Sequence, residues 1–470
     1  MIAGGAFAVS GASAAGWPQP NGDREGTRNA KGTSISSRTV GSLTVRWRFR
    51  LPKGSPYGSF ASTPVVSGGT VYLQTLSSSV FALDARTGQI RWRWLTKAPN
   101  DGPNGLSVTP TRVYGATDTS VFALDRRTGR RVWARRLTSR YEQFVDIAPL
   151  VGDGLVFAAT IGFSPGGAGA LYALDARTGA KRWRFATVRD PWAHPSAGGG
   201  GAWYTPSLGP DGTLYVGIAN PEPWGGTALR PNGGSYPGPV PYTDSLVALA
   251  ARSGKLRWYD QVTKHDVRDY DFEASPIVVG GTVIGAGKAG RVVAWSRTTG
   301  RRIWTQTVGT HLHDLGSLPA RATTVCPGLW GGVLTPMAYA SGRLFVPVVE
   351  QCAREWSTGS APLPNLRSGH GEVVSIAART GRKLWVRALP SPATGCTTVA
   401  GDVVFAPTLA GDVFGLSAGD GRVLWHSTLT AGINGCPAVS GDLLLVGAGA
   451  PLPTGATPEL VAYGIGEGRP

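Results

Sequence analysis

This chain is short of charge, sulfur and histidine. Only 16% of its 470 residues are charged, and it holds 4 Cys, 2 Met and 6 His. Outside the N-terminus no apolar run reaches transmembrane length and no heptad pattern persists, so the body reads as soluble and without a transmembrane span. There is no CxxC and no CxxCH, which excludes a fused c-type haem. No phosphate-binding glycine loop or serine-nucleophile motif is present. Acidic residues are scarce, 29 against 46 Lys and Arg, for a net charge of +17. Such a balance invites a nucleic-acid reading, but the arginines recur singly, as at Arg86, Arg127, Arg177, Arg252 and Arg379. With no basic run, they predict a solvated basic surface and no nucleic-acid partner. Adhesion to anionic cell-envelope polymers is compatible with that surface.

What is abundant is glycine (68), proline (35) and tryptophan (16), a composition suited to many short strands joined by tight turns. Residues 1–16, MIAGGAFAVSGASAAG, are small and apolar and read as a signal segment lacking its basic start. The chain is therefore expected to be exported to the periplasm, the extracellular space or the cell envelope. Cys326, Cys352, Cys396 and Cys436 form an even set, which fits two disulfides in an oxidising compartment or four buried thiols.

One repeat dominates. VFALDARTGQIRW ends at Trp92, and related units end at Trp133, Trp183, Trp258, Trp304, Trp385 and Trp425, with Trp47 in a similar context. Each reads as a strand, a turn whose Thr-Gly or Ser-Gly supplies a side-chain cap and a positive φ, and a strand closing on tryptophan. A second strand pair precedes most units, giving four strands per unit. A sheet of four strands cannot bury both faces alone, so the units are expected to stack radially with tryptophan between neighbours. Trp47 precedes the first full unit and ELVAYGIGEG near the C-terminus lacks its tryptophan, so the ends complete each other. The expected fold is all-β: an eight-bladed β-propeller of four-stranded blades over 17–470, a single domain whose last blade is closed by an N-terminal strand. The wide gaps Trp183–Trp258 and Trp304–Trp385 mark inserted loops, where function is expected to lie.

These ALDxRTGxxxW units resemble the repeats of pyrroloquinoline quinone (PQQ) propellers, from GWPQPNGDREGTR at Gly16–Arg28 to the C-terminus. That family includes quinoprotein alcohol dehydrogenases and non-catalytic propellers such as outer-membrane assembly lipoproteins, and fold alone does not choose between them. The intervening segments carry the choice. Gly198–Gly226 resembles the dehydrogenase segment in which Trp203 lies beneath the quinone and Asn220 binds a metal through its amide oxygen. His265–Asp271, HDVRDYD, is similar to the family's His-Asp-x-Trp-Asp-Tyr-Asp, which makes Asp269 the catalytic base and a metal ligand, and Asp271 a ligand suited to lanthanides. Clustered carboxylates repel, so a cation is a physical reason for the cluster; a solvated acidic loop is the alternative. Arg268 stands where the family has tryptophan, and its guanidinium is placed to pair with Asp266 or Asp271. His265 reads as loop support. GAGKAG matches Lys288 to the cation that reaches the quinone oxygens. The resemblance also implies a Cys326–Cys352 bridge, while repeat register brings Cys396 and Cys436 together at the starts of consecutive units.

Three family features are absent. The adjacent-cysteine disulfide over the quinone and the arginine after its asparagine are replaced by plain sequence around Asn104-Gly105, and Ser164 falls where a metal-binding glutamate is expected. The expected function is PQQ-dependent oxidation of a small or polymeric alcohol with calcium or a lanthanide, electrons leaving to a separate acceptor such as a cytochrome. The alternative is a non-catalytic binding or scaffold propeller of the envelope.

Overall fold

Each repeat turn is built by its own side chains. In the turn after Val80–Asp84, Asp84 Oδ1 accepts the backbone N–H groups of Arg86 and Thr87 at 2.9 and 3.0 Å, and Gly88 follows at φ 72°. The same Asp, Thr and Gly arrangement recurs at Asp125–Gly129 and Asp175–Gly179. Such turns fold adjacent strands into antiparallel meanders without outside help.

The computed structural model describes residues 16–52, 54–100, 102–139, 143–162, 167–188, 198–233, 239–361, 369–450 and 456–466. Residues 1–15 of the expected signal segment, and Ser164, lie outside them. Among the described residues there are eight sheets built on a four-stranded antiparallel meander. Sheet 1 comprises Val65–Ser67, Thr70–Gln74, Val80–Asp84 and Ile90–Trp94. Sheets 2 to 7 span 107–136, 150–186, 207–261, 277–307, 338–389 and 398–428. Sheet 8 joins Ala438–Ser440, Leu443–Ala448 and Glu459–Ile465 to the N-terminal strand Leu43–Arg50, which pairs along Glu459–Ile465. Arg48 reinforces that closure with a two-pronged bond to Glu459 at 2.8 and 2.9 Å.

Tryptophans link the sheets in cyclic order. The indole N–H of Trp47 in sheet 8 donates to Ala85 of sheet 1 at 2.9 Å, Trp92 of sheet 1 to Arg126 of sheet 2 at 3.0 Å, and Trp133 to Ala176 at 3.1 Å. Trp183, Trp258, Trp304 and Trp385 continue the series to Ala251, Arg297, Ala378 and Ala418. Trp425 of sheet 7 then packs edge-on against Tyr463 of sheet 8, ring centroids 5.1 Å apart, and the ring closes. The seven indoles from Trp47 to Trp385 also lie against the turn glycine of the next sheet: a Cβ on Gly179 would sit 2.6 Å from Trp133. Gly179, at φ 71°, is thus required both for backbone conformation and for space. Gly179→Ala is expected to cost about 2–4 kcal/mol, from positive-φ strain plus overpacking. A chemical denaturation midpoint equal to wild type would contradict this.

The N-terminal segment seals the ring's axis. Trp17 pairs with Val66 of sheet 1, Pro18 accepts from Val108 of sheet 2, and Gln19 reaches Val151 of sheet 3. Arg24, Glu25, Thr27 and Arg28 then accept from Leu208, Val278, Tyr339 and Val399 of sheets 4 to 7. A cavity of about 20 Å³ lies against this segment, lined by Pro20 and Asn21 together with Asn104, Tyr204 and Pro336. In a meander the connection between second and third strands shares an end with the crossover to the next sheet, while the Thr-Gly turns lie at the opposite end. That alternation decides which residues can meet.

Both bridges are formed, Cys326–Cys352 with Cα atoms 4.5 Å apart and Cys396–Cys436 at 4.7 Å. The second joins the crossovers entering sheets 7 and 8, as repeat register implied. No helix among the described residues is long and apolar enough to cross a membrane.

Candidate functional site

Topology places the five sequence-selected residues at one end of the ring. Trp203 lies on the crossover from sheet 3 to sheet 4, and Asn220 on the connection between Thr213–Ile218 and Ser245–Ala250 of sheet 4. Asp269 and Asp271 lie on the crossover from sheet 4 to sheet 5, and Lys288 on the connection between Thr282–Ala286 and Arg291–Ser296. All five positions belong to the crossover end.

Four of these side chains touch. Lys288 Nζ lies 2.8 Å from Asp269 Oδ2 and 2.6 Å from Asp271 Oδ2. Asn220 contributes twice, its side-chain amide donating to Asp269 Oδ1 at 3.0 Å and its backbone N–H to Asp271 Oδ1 at 2.9 Å. Glycines allow the approach: a Cβ on Gly287 would strike the Asp271 carbonyl, and the Lys288 N–H donates to that same carbonyl at 3.0 Å. Trp203 is half-buried. It is positioned by the Gly198–Gly201 backbone, which pairs with Pro221–Glu222 and accepts the Ala219 N–H at Gly201, beside Asn220.

The acidic crossover is held by its own residues. Asp266 accepts the backbone N–H groups of Arg268 and Tyr270 at 2.8 and 2.6 Å, and the Tyr270 hydroxyl donates to Pro327 at 2.7 Å. The Arg268 guanidinium turns away, donating to the carbonyls of His313, Gly316 and Leu315. It makes no ion pair with Asp266 or Asp271, so it does not stand in for a cation there. His265 Nε2 lies 2.8 Å from the Asn232 carbonyl, which makes it the expected loop support.

The charge balance is lopsided. Glu222, Asp244, Asp266, Asp269, Asp271 and Glu273 all interact with the single ammonium of Lys288. Burial opposes charge on Lys288, but Asp269, Asp271 and Glu273 overcome this and hold it above the ordinary lysine range. Burial, joined by Asp271 and Asp266, pushes Asp269 well above the usual carboxylate range, with Lys288 acting against it. Burial, with Asp271 adding to it, pushes Glu222 up to about 7. Only one carboxylate of the central pair is reachable, the Asp269 side chain being 13% exposed and that of Asp271 2%.

Among the described residues, no three His, Cys, Asp or Glu side chains group tightly enough to hold a metal by themselves. A hard cation nevertheless suits the donor set of the Asn220 amide oxygen, Asp269 and Asp271, because buried negative charge exceeds what Lys288 neutralises. A planar anionic quinone suits it as well, with Trp203 as an aromatic platform and Lys288 as a fixed positive group.

Raised acids predict a pH dependence. Burial pushes Asp266 up to about 6 and Glu355 up to about 7. The folded state binds these protons more tightly than the unfolded chain, so their contribution is complete below about pH 4 and lost as pH rises through 6 to 7. In chelator, Tm is expected to fall from pH 4.5 to 7.5 more steeply for wild type than for Asp266→Asn/Glu355→Gln; parallel slopes would refute the assignment.

Sequence reading missed several residues. Trp330 places its ring 5.7 Å from Lys288 Nζ, and its CPGLWGG context gave no sign of that contact. Asp244 lies in PYTDSLVALA, just before a repeat strand, where nothing marks it in isolation. Arg28, wholly buried, looked like any other arginine.

Comparison with known proteins places the fold. A sequence profile described as outer membrane protein assembly factor BamB matches residues 101–321 and 369–469, together more than half of the chain. The chain belongs to the PQQ-repeat β-propeller family. A second profile of this propeller family, the β-propeller domain of glucose/ethanol/alcohol dehydrogenases, matches residues 17–109. Among curated PQQ propellers, the quinohemoprotein alcohol dehydrogenase ADH IIB of Pseudomonas putida is 28% identical over 273 residues, 51% of this chain and 38% of that protein. The chain thus matches well under half the length of that relative. The solved quinohemoprotein alcohol dehydrogenase ADHIIG of Pseudomonas putida HK5 superposes with a TM-score of 0.82 at 21% identity, covering 96% of this chain and 80% of that one. A europium-containing methanol dehydrogenase superposes at 0.77 with 19% identity, covering 96% and 98%. These structures establish the shared propeller fold.

Proposed function

We propose that this PQQ propeller is a quinone-dependent oxidoreductase that oxidises an alcohol, with residues 17–470 acting as one domain. The observation that carries the reading is the convergence of Asn220, Asp269, Asp271 and Lys288, drawn from three separate connections, into one buried polar cluster. Clusters that bury several charges cost stability and persist where they serve chemistry.

PQQ, when bound, supplies the two-electron acceptor for the alcohol's hydride, and calcium or a lanthanide supplies a Lewis acid beside it. Asn220, Asp269 and Asp271 would hold the cation; Trp203 and Lys288 would hold the quinone. Asp269 is the base: its partly exposed carboxylate takes the hydroxyl proton, and Asn220 and Lys288 fix its two oxygens so that it does not swing away. Asp271, fully enclosed, orients Lys288 and the Asn220 backbone. Trp330 faces the Lys288 ammonium with its ring, a contact that favours the charged form. Relatives named as alcohol dehydrogenases support the substrate class. The two disulfides support export to an oxidising compartment, and a separate electron acceptor such as a cytochrome belongs to the same proposal.

A scaffold reading has one observation in its favour: the BamB-described profile covers far more of the chain than the dehydrogenase one. A scaffold gives no reason to bury Lys288 between two aspartates at a loop end. The test is dye reduction by the purified chain with PQQ, calcium or a light lanthanide, and a panel of primary, secondary and polymeric alcohols. Alcohol-dependent turnover requiring PQQ supports the enzyme; none with any metal supports the scaffold.

A further inference from the structure

A cleft of about 490 Å³ opens between sheets 1 and 2, at the end of the ring that carries the Thr-Gly turns. Arg91, Arg112, Arg126 and Arg127 line it, with Asp125 as the one carboxylate among its lining residues. Two of the four guanidiniums are answered. Arg91 Nη2 lies 2.7 Å from Asp84 Oδ2, and Arg112 Nη1 lies 3.7 Å from Asp125 Oδ2. Arg126 is held by neutral acceptors: the Tyr72 hydroxyl at 3.0 Å and the carbonyls of Ser67 and Pro110 at 2.8 and 3.4 Å. Among the described residues neither it nor the exposed Arg127 forms an ion pair.

The repeat sets Arg126 apart. Its place in the turn is taken by alanine in most sheets, at Ala85, Ala176, Ala251, Ala378 and Ala418, and by arginine again only at Arg297 of sheet 5. Beside Arg297, sheet 4 supplies Asp211, which pairs with Arg257 at 3.2 Å and on which the charge of Arg297 also acts. Register puts Gly68 of sheet 1 where Asp211 stands in sheet 4, because the hydroxyls of Thr70 and Thr213, two residues further on, accept from the equivalent arginines Arg91 and Arg257. Gly68 brings no carboxylate. Its bare Cα also lets the Arg126 guanidinium close on Ser67, since a Cβ there would lie 2.6 Å from Nη2.

We propose that this cleft binds a phosphorylated saccharide, the chemistry of phosphate-bearing cell-envelope glycans. Guanidinium forks match phosphate oxygens in pairs. Arg126 is already fixed by Tyr72 and Ser67, so little of its freedom is lost on binding. The half-buried Trp92 indole, packed on Tyr72 with ring centroids 5.9 Å apart, offers an apolar face to a sugar ring. Asp269 and Lys288 lie at the crossover end, on the opposite side of the ring. A chain held on a glycan by its turn end keeps the crossover end free, and binding there is independent of whether that end turns over alcohol.

The test is calorimetry on the full chain at physiological ionic strength, with glucose 6-phosphate, inorganic phosphate and glucose as probes, then a phosphomannan and an unphosphorylated mannan. Glucose 6-phosphate is expected to bind more tightly than phosphate or glucose, and the phosphomannan more tightly than the plain mannan. Arg126→Ala installs the residue that other sheets carry and is expected to weaken glucose 6-phosphate binding about tenfold, the scale of one charged hydrogen-bonded contact. Should that variant lower Tm, Arg127→Ala, at an exposed position, carries the test and is expected to weaken binding as well. Arg379→Ala removes the same charge from the equivalent exposed turn position of sheet 6 and should leave affinity unchanged. Equal losses from the cleft variants and Arg379→Ala would reduce the effect to net charge and overturn the proposal. So would absence of glucose 6-phosphate binding to wild type, phosphate binding as tight as that of the sugar phosphate, or tighter binding of a short single-stranded DNA than of the phosphomannan.

Discussion

Asp269→Asn is expected to reduce kcat for alcohol oxidation by about 10²–10⁴-fold, the range for loss of a positioned general base, while PQQ affinity changes much less. Asparagine keeps the shape and one acceptor oxygen, so the contact with Asn220 survives in outline and proton acceptance does not. Geometry makes the prediction specific to this residue. Asp269 and Asp271 share Lys288 and Asn220 as partners, yet the Asp271 side chain is 2% exposed and that of Asp269 13%. Asp269 also sits at φ 62°, a left-handed conformation that few residues other than glycine adopt. Asp271→Asn should therefore act differently, weakening cation and quinone binding before it touches the chemical step. Equal losses of kcat from both substitutions, with binding intact, would contradict this division of roles.

Arg28→Ala is expected to destabilise the fold by about 3–5 kcal/mol, the scale for breaking a buried, fully bonded charge. Arg28 is 0% exposed, and burial pushes its guanidinium down to about 9. It donates to the carbonyls of Thr397, Pro20 and Pro437 at 2.8, 3.0 and 2.7 Å, to Asn21 Oδ1 at 3.1 Å and to Thr398 Oγ1 at 2.8 Å. Its planar fork also lies 5.5 Å from the Trp17 ring. Removing it strands acceptors from the axial segment and from sheets 7 and 8 together. Lysine has one ammonium and no fork, so Arg28→Lys should recover only part of the loss. The check is Tm and the denaturant midpoint of the three proteins; an alanine variant as stable as wild type would refute the role.

The ring was legible because its instructions are local and repeated. An Asp-x-x-Thr-Gly turn caps itself, and each tryptophan needs only the glycine of the next unit as a landing place, so both signals survive in a single sequence. The closing strand was legible because Trp47 and ELVAYGIGEG are two halves of one unit. Asn220, Asp269, Asp271 and Lys288 were found by resemblance, and their meeting follows from the alternation that sends their connections to one end. Asp244 was not found. It is buried, with Asp266, Asp271 and Asp269 acting on its carboxyl, and neither fact shows in the string PYTD. Arg28 escaped for a related reason: an arginine among 46 basic residues carries no sign of being buried until the carbonyls around it are in place. Arg268 misled in the opposite sense, since sequence proximity suggested pairing with Asp266 or Asp271 and the neighbouring loop carbonyls took its donors instead.

The most direct test of the account is a calorimetric titration of the purified chain with PQQ, in chelator and then with calcium or a light lanthanide, on wild type, Trp203→Ala and Lys288→Met. The account predicts cation-dependent binding of about one PQQ per chain, weakened at least tenfold by either substitution. Failure of wild type to bind PQQ under any of these conditions would contradict it.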